Sequence, residues 1–253
     1  MFGICNLAMI PLRFEPSDRS EIVSQILFGE HFEILEQLKQ WTFIKMQYDG
    51  YEGWIDFKQL QLISDESYLK LSTQEIVLSA DLVEYITAQS NALIPIPLAS
   101  SLSFLGNSEI NTSNFKFDGA KASGIKEKSK LINTAFMYLN APYLWGGKTP
   151  FGIDCSGFTQ MVYKLNGYKL LRDASQQSAQ GEALSFIEES EAGDLAFFDN
   201  EEGNIIHVGI IMEDNYIIHS SGKVRIDRLD HLGIFNAEIN KHTHKLRVIK
   251  KII

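Results

Sequence analysis

Cysteine and proline are scarce in this 253-residue chain, at two and six residues, and no hydrophobic run approaches the length of a membrane span. The two cysteines, Cys5 and Cys155, make no disulfide framework. Cys5 lies in an apolar stretch near the start and reads as buried. Basic blocks are missing too, and a formal net charge of −9 argues against non-specific nucleic-acid binding. The opening residues, Met1-Phe2-Gly3-Ile4-Cys5-Asn6, lack the basic and long apolar regions of a signal peptide, and Arg13, Glu15 and Asp18 follow too soon. The expected location is therefore cytoplasmic, with a periplasmic or secreted one as the alternative if a signal has been removed. The His-Glu-x-x-His spacing of zinc peptidases does not occur.

What is present, 45% hydrophobic and 22% charged residues, describes a globular chain long enough for two or three domains. Residues 1–62 read as short strands. Ile22–Phe28, Phe32–Leu35 and Thr42–Met46 are β-rich, Gly29-Glu30 and Asp49-Gly50 mark turns, and Trp41 and Trp54 read as core or barrel-face aromatics. Residues 63–118 suggest further strands at Glu75–Leu78, Leu82–Ile86, Ala92–Leu98 and Ser103–Leu105. Pro95 and Pro97 point to an edge or loop there, and the Asn-, Ser- and Gly-rich segment Asn107–Gly119 reads as a connection.

From Lys126 the period changes. Leu131, Ile132, Ala135, Phe136 and Leu139 recur at helical spacing, with Lys126, Lys128 and Lys130 on the exposed side, until Asn140-Ala141-Pro142. A second, amphipathic helix is expected over Cys155–Leu165, ending at Asn166-Gly167. Residues 172–177 precede a shorter helix, and strands follow from Leu195, with a closing strand over Lys245–Ile249. Helices followed by strands make residues 119–253 an α+β domain.

The helix headed by Cys155 carries the chemistry. Asp154 is a good N-cap, so Cys155 falls in the first turn, where free N–H groups and the helix dipole favour an anion. That position is expected to lower the thiol pKa. A base is available in His207-Val-Gly-Ile-Ile-Met212, which with Tyr216-Ile-Ile-His219 and the turn Glu213-Asp214-Asn215 reads as an antiparallel hairpin. Its register sets His207 opposite residues 219–221, so both histidines can share one sheet face. A thiol, an imidazole base and a second imidazole to orient the first meet the needs of nucleophilic acyl transfer. Two other readings stand beside this one. Each residue could be an ordinary core side chain, and Cys/His/His could hold Zn²⁺, although no second Cys or carboxylate is evident beside them.

Four ordered blocks narrow the choice: Tyr143-Leu-Trp145-Gly-Gly147, Asp154-Cys-Ser-Gly-Phe158, His207-Val-Gly-Ile210 and His219-Ser-Ser-Gly222. Together they resemble the signature of the NlpC/P60 family, bacterial cysteine peptidases that cut cell-wall peptides, over roughly the last half of the chain. The resemblance implies a papain-like α+β catalytic domain over 119–253 with Cys155, His207 and His219 as catalytic residues. Trp41, the Leu27-Phe28-Gly29-Glu30 turn and Asp49-Gly-Tyr51-Glu-Gly-Trp54-Ile55 resemble a bacterial SH3-like β-barrel, placed at 1–62. Residues 63–118 fit a second, degenerate one with its linker.

With Arg172-Asp173, this combination is similar to the γ-D-glutamyl-L-diamino acid endopeptidases. These act on L-Ala-γ-D-Glu-diaminopimelate with a free N-terminal L-alanine, in murein peptide recycling. The resemblance implies that Asp173 binds the alanine ammonium, that Asp154 and Ser156 flank the D-Glu part, and that Tyr143 lies beside the nucleophile. Trp145 and Ser175 belong to the same substrate-binding set. Where relatives carry Ser after that Asp, this chain has Ala174. Glu21 and Tyr51, in the SH3-like domain, are candidates for reaching the alanine amine. Asp173 could equally be a helix N-cap, and Glu21 and Tyr51 plain surface residues. The remaining histidines, His31, His231, His242 and His244, read as surface residues. The chemistry needs no cofactor or metal, the partner is a muropeptide, and a monomer is expected. The alternatives are a hydrolase of intact wall, with the SH3-like domain as a wall-binding module, and a non-catalytic binder that kept the fold.

Overall fold

The computed structural model describes residues 1–110 and 114–253, so part of the expected connection over Asn107–Gly119 lies outside the described residues. The chain divides into two compact units, Met1–Gly124 and Ile125–Ile253.

The first unit is built on a seven-stranded antiparallel sheet. Its strands are β1 (Phe2–Ile4), β2 (Met9–Arg13), β3 (Ile22–Leu27), β4 (His31–Leu38), β5 (Trp41–Met46), β6 (Glu52–Asp56) and β7 (Gln61–Ile63). Their order across the sheet is β3-β2-β6-β5-β4-β1-β7. Alternation sends Ile10, Leu12, Ile26, Phe32, Ile34, Ile44 and Ile55 inward, where they close around Cys5 and Met46. Cys5 is buried as expected, and burial raises its thiol pKa. Trp41 is buried, while Trp54 lies half-exposed against Phe43.

The rest of this unit comprises α1 (Asp65–Thr73), β8 (Val77–Ser79), β9 (Val83–Thr87), β10 (Leu93–Pro97) and β11 (Lys121–Ser123). β9 pairs with β10 and β8 with β11, each as a two-stranded sheet. Pro95 and Pro97 lie on β10, whose sole strand neighbour among the described residues is β9, an edge position that tolerates a missing N–H. Leu71, Ile86, Ile96, Phe104, Phe115 and Phe117 form a second core with Ile4 and Phe28. One expectation fails here. Ser103–Gly106 is a 3₁₀ turn, not a strand, because it folds Phe104 into that core while the Ser103 hydroxyl accepts the Val77 N–H.

The second unit begins with α2 (Lys130–Phe136), which starts later than the sequence period suggests. The short pair β12 (Lys148–Thr149) and β13 (Gly152–Ile153) leads into α3 (Cys155–Leu165), followed by α4 (Ala174–Gln177) and β14 (Glu182–Leu184). The sheet continues through β15 (Leu195–Asp199), β16 (Ile205–Ile211), β17 (Tyr216–Ser221), β18 (Lys223–Asp230), β19 (Gly233–Asn236) and β20 (Lys241–Lys251). Strands β15 to β20 pair in sequence, and β20 also pairs with β15, so the six close on themselves. β14 is added outside β20. Helix α3 packs on β16 and β17, the strands that carry His207 and His219. The expected amphipathic helix is in fact buried on every face, between the sheet and α2 and α4. Its polar residues are accommodated by partners: Thr159 donates to Gln177 Oε1 and Gln160 to the Leu170 carbonyl.

Candidate active site

Cys155 opens α3 as the sequence indicates. The Asp154 carboxylate caps the helix by accepting the Gly157 N–H at 2.6 Å, and it also accepts the Gly146 N–H at 2.8 Å. The glycines around it have steric work to do. A methyl group at Gly157 would lie 2.3 Å from the Gly147 carbonyl oxygen, and one at Gly147 would lie 2.4 Å from that of Gly152. Only bare backbone lets the loop pass this close to the head of the helix.

Behind the cap lies Arg172, fully buried. Its Nη1 donates to Asp154 Oδ1 at 3.0 Å and its Nη2 to Oδ2 at 2.6 Å, and Nη1 also donates to the Ser156 hydroxyl. Both Asp154 oxygens are thus engaged by protein donors, and the Ser156 hydroxyl lies between Asp154 and Arg172.

Cys155 is buried, with the backbone N–H groups of Val208 and Ser156 directed at its sulfur. These contacts and Arg172 favour the thiolate, but burial and the neighbouring Asp154 charge outweigh them and push the thiol up to about 12. The expected lowering by the helix start is therefore reversed. The dipole contributes, yet desolvation wins.

Val208 follows His207 on β16, so the strand that supplies an N–H to the sulfur also carries the first histidine. Across the hairpin, Gly209 pairs with His219, in the register expected. His207 Nε2 lies 2.8 Å from His219 Nδ1, and His219 Nε2 lies 3.0 Å from Asp227 Oδ2 on β18. Both rings are buried. Burial lowers the His207 pKa well below the ordinary histidine value, aided by the nearby His219 and His244. His219 is lowered by burial too, with Asp227 pulling partly back.

His244 corrects the sequence reading. Its ring is not a plain surface group but stacks on His207, with centroids 4.1 Å apart and planes at 24°, and burial takes its pKa down to about 4. His242 bonds Asp230, and His31 bonds Ser72. Tyr143 follows the β-bridged Pro142, and its own backbone bridges to Ile153. Burial, with the Cys155 and Asp154 charges nearby, pushes its phenol up to about 12, so it stays a proton donor at neutral pH. Trp145 is exposed on the same loop. Asp173 N-caps α4, its N–H donating to Gln176 Oε1, and Ser175 is exposed in that helix. Glu21 and Tyr51 belong to the other unit: Glu21 is exposed, its carbonyl accepting the Phe14 N–H, and Tyr51 packs on the barrel core.

Sequence reasoning passed over Asp227. The signal was present as a hairpin about Gly222 with polar alternation at Arg225 and Asp227, which sets Arg225 opposite His219.

Comparison with known proteins agrees with this geometry. Residues 140–243 match the NlpC/P60 family, and residues 12–60 match the bacterial dipeptidyl-peptidase SH3 domain. A γ-D-glutamyl-L-lysine dipeptidyl-peptidase of Bacillus subtilis is 30% identical over 79% of this chain and 72% of its own length. Dipeptidyl-peptidase 6 of Lysinibacillus sphaericus is 28% identical over 91% of this chain and 92% of its own. The crystal structure of an NlpC/P60 family protein from Bacillus cereus superposes with a TM-score of 0.81 at 21% identity, covering 100% of this chain and 99% of that one. This chain belongs to the NlpC/P60 family of peptidases and carries a bacterial SH3-like domain ahead of its peptidase domain.

Proposed function

We propose that the protein is a cysteine endopeptidase that cleaves the bond between γ-D-Glu and a diamino acid in peptidoglycan-derived peptides with a free N-terminal L-alanine. The observation that carries the reading is the hydrogen-bonded pair His207–His219, made across β16 and β17, with β16 also directing the Val208 N–H at the Cys155 sulfur.

With the thiol pushed up and the imidazole lowered, the resting pair is neutral, so proton transfer accompanies attack. His207 takes the Cys155 proton as the sulfur bonds to the amide carbon. The electron pair moves to the carbonyl oxygen, where N–H groups at the head of α3 stabilise it. Collapse of that intermediate expels the amine, which takes the proton from His207 and leaves a thioester. Water, deprotonated by His207, then releases the acid and the thiol.

Substrate choice draws on the relatives. Names that pair γ-D-glutamyl-L-lysine with dipeptidyl-peptidase describe removal of an N-terminal dipeptide before a diamino acid. In this chain Asp173 is the residue assigned to the alanine ammonium, with Tyr143, Trp145 and Ser175 lining the approach. Asp154 and Ser156 act through Arg172 and the helix cap, their polar atoms being engaged there. Such a substrate suits cytoplasmic recycling of muropeptides. The test is digestion of L-Ala-γ-D-Glu-diaminopimelate and its lysine counterpart, each beside its N-acetylated form and beside intact sacculi. Cleavage of the free-amine peptides alone is expected. Equal cleavage of the acetylated forms would remove the free-amine requirement, and preferential release from sacculi would favour a wall hydrolase.

A further inference from the structure

His207 can act as the base only if its ring carries the proton on the right nitrogen, and the structure traces that choice to a residue outside the Cys155–His207–His219 set. Asp227 lies at the end of the hydrogen-bonded line. Arg225 holds it in a fork, Nε donating to Oδ2 at 2.7 Å and Nη2 to Oδ1 at 3.0 Å, and Glu238 in turn accepts from Arg225 Nη1 at 3.1 Å. Burial pulls the Asp227 pKa upward, but the His219 and Arg225 contacts outweigh it and hold the carboxyl below its ordinary value. It is therefore ionised near neutrality and offers acceptors alone.

The proton positions follow by elimination. Facing a carboxylate at 3.0 Å, His219 Nε2 has to carry a hydrogen. A neutral imidazole has one N–H, and His219 is lowered from the ordinary value, so its Nδ1 is the acceptor. At 2.8 Å from that acceptor, His207 Nε2 must be the donor, which leaves His207 Nδ1 without a proton.

Resting on the peptidase reading above, we propose that Asp227 is a positioning residue. Held by Arg225, it accepts the Nε2–H of His219 and so fixes the tautomers of both histidines, leaving His207 Nδ1 bare for the Cys155 proton. When His207 becomes an imidazolium, the same line sets a fixed negative charge one ring away from it.

The discriminating variant is Asp227→Asn, which keeps the volume and leaves a carbonyl oxygen for Arg225. Oδ2 takes both His219 Nε2–H and Arg225 Nε–H while Oδ1 takes Arg225 Nη2–H, so an amide with one acceptor oxygen cannot serve all three donors; the Nε2–H tautomer loses its fixed acceptor, and forms with a hydrogen on His207 Nδ1 become populated. A kcat lower by about 100-fold or more is expected, since tautomer reversal in a serine-protease triad costs about 10⁴. KM should change little, while the urea midpoint should fall modestly because Arg225 loses its charged partner. Nitrogen-15 NMR of the histidine rings, recorded in a Cys155→Ala background, should show Nε2–H on both histidines when Asp227 is intact and a mixture containing Nδ1–H forms in the Asp227→Asn variant. That readout needs no substrate, so it stands even if the peptide specificity is wrong. Unchanged tautomers, or a kcat within about threefold of the parent, would overturn the proposal. So would a fall in kcat that follows the loss of stability in both Asp227→Asn and Asp227→Ala, with no change in ring protonation.

Discussion

Arg172 and Asp154 meet through a two-pronged contact of 3.0 and 2.6 Å directly behind the helix that Cys155 heads. Asp154 thereby serves three structures at once: the cap of α3, the Gly146 loop and the buried guanidinium. A buried pair is costly to break because removing one partner strands the other's charge away from water.

Replacing Arg172 by Met should accordingly lower stability by about 3–5 kcal/mol, the range for breaking a buried ion pair. Urea unfolding of Arg172→Met reads this directly. A loss below about 1 kcal/mol would mean that the Gly146 and Gly157 N–H groups suffice to hold the carboxylate.

Gly209 faces His219 across the β16–β17 pair, and a methyl group there would lie 2.9 Å from the His219 Cβ and 2.7 Å from Ile217 Cδ1. Gly209→Ala should cost about 1–3 kcal/mol as an overpacked core. By displacing His219 it should also lower kcat roughly 10- to 100-fold, in keeping with the sensitivity of such sites to small misplacements. Steady-state kinetics with unfolding data on one preparation tests both. Unaltered kcat with lost stability would show that the sheet absorbs the methyl without moving the ring.

Much of this site was legible in the sequence because its signals are local. Asp154 before Cys155 is an N-cap, and residues 155–165 are the helix the period describes. The Glu213-Asp214-Asn215 turn, with Asp214 and Asn215 both at positive φ, fixes the register that brings His207 and His219 together. What was not legible depends on closure. His244 reaches His207 because β20 returns to pair with β15, whose Phe198 lies opposite His207. The thiol's raised pKa comes from burial by elements distant in sequence, a quantity that no helix-start argument contains. In the first unit, the strand reading of Ser103–Leu105 failed because Phe104 answers to a tertiary core rather than to its own propensity.

His244 covers one face of His207, and its cover together with its partial charge lowers the His207 pKa. Removing it in His244→Ala lets water reach the ring, so the His207 pKa should rise toward the ordinary value of about 6.5. As the proposed base, His207 works unprotonated, so the acid limb of the kcat/KM profile should move to higher pH. His244→Phe, which keeps a stacked ring, should move it less. An acid limb unmoved in the Ala variant would show that burial by the rest of the barrel sets the pKa alone.

Acid should destabilise this fold through the same rings. His207 and His219 have lowered pKa values when folded, so between about pH 6.5 and those values the unfolded chain holds protons that the folded one does not. Stability is complete above that window and falls as pH drops through it, by up to about 1.4 kcal/mol per pH unit for each ring. The lowered Asp227 extends the same sign to lower pH. Urea midpoints at successive pH values from about 7.5 to about 4.5 should fall, and less steeply in His207→Gln. A flat profile would mean that the rings protonate in place.

The thiol itself gives the sharpest prediction. If the helix start ruled, Cys155 would be a thiolate near neutrality and would alkylate at a rate independent of pH above about 7. With burial and Asp154 pushing its pKa up to about 12, the thiolate fraction at neutral pH is small and should grow tenfold with each pH unit. Iodoacetamide labelling of the folded protein should therefore be slow at about pH 7 and climb without a plateau to the limit of folding. His207→Ala should leave that slope intact, because no thiolate–imidazolium pair is stored at rest. Cys155→Ser supplies the background, since Cys5 is buried with its thiol raised as well. A plateau near neutrality that vanishes in His207→Ala would show a preformed ion pair. The proton would then have left sulfur before attack, and the general-base step assigned to His207 in acylation would have to be replaced by one in which the imidazolium acts only as the acid for the leaving amine.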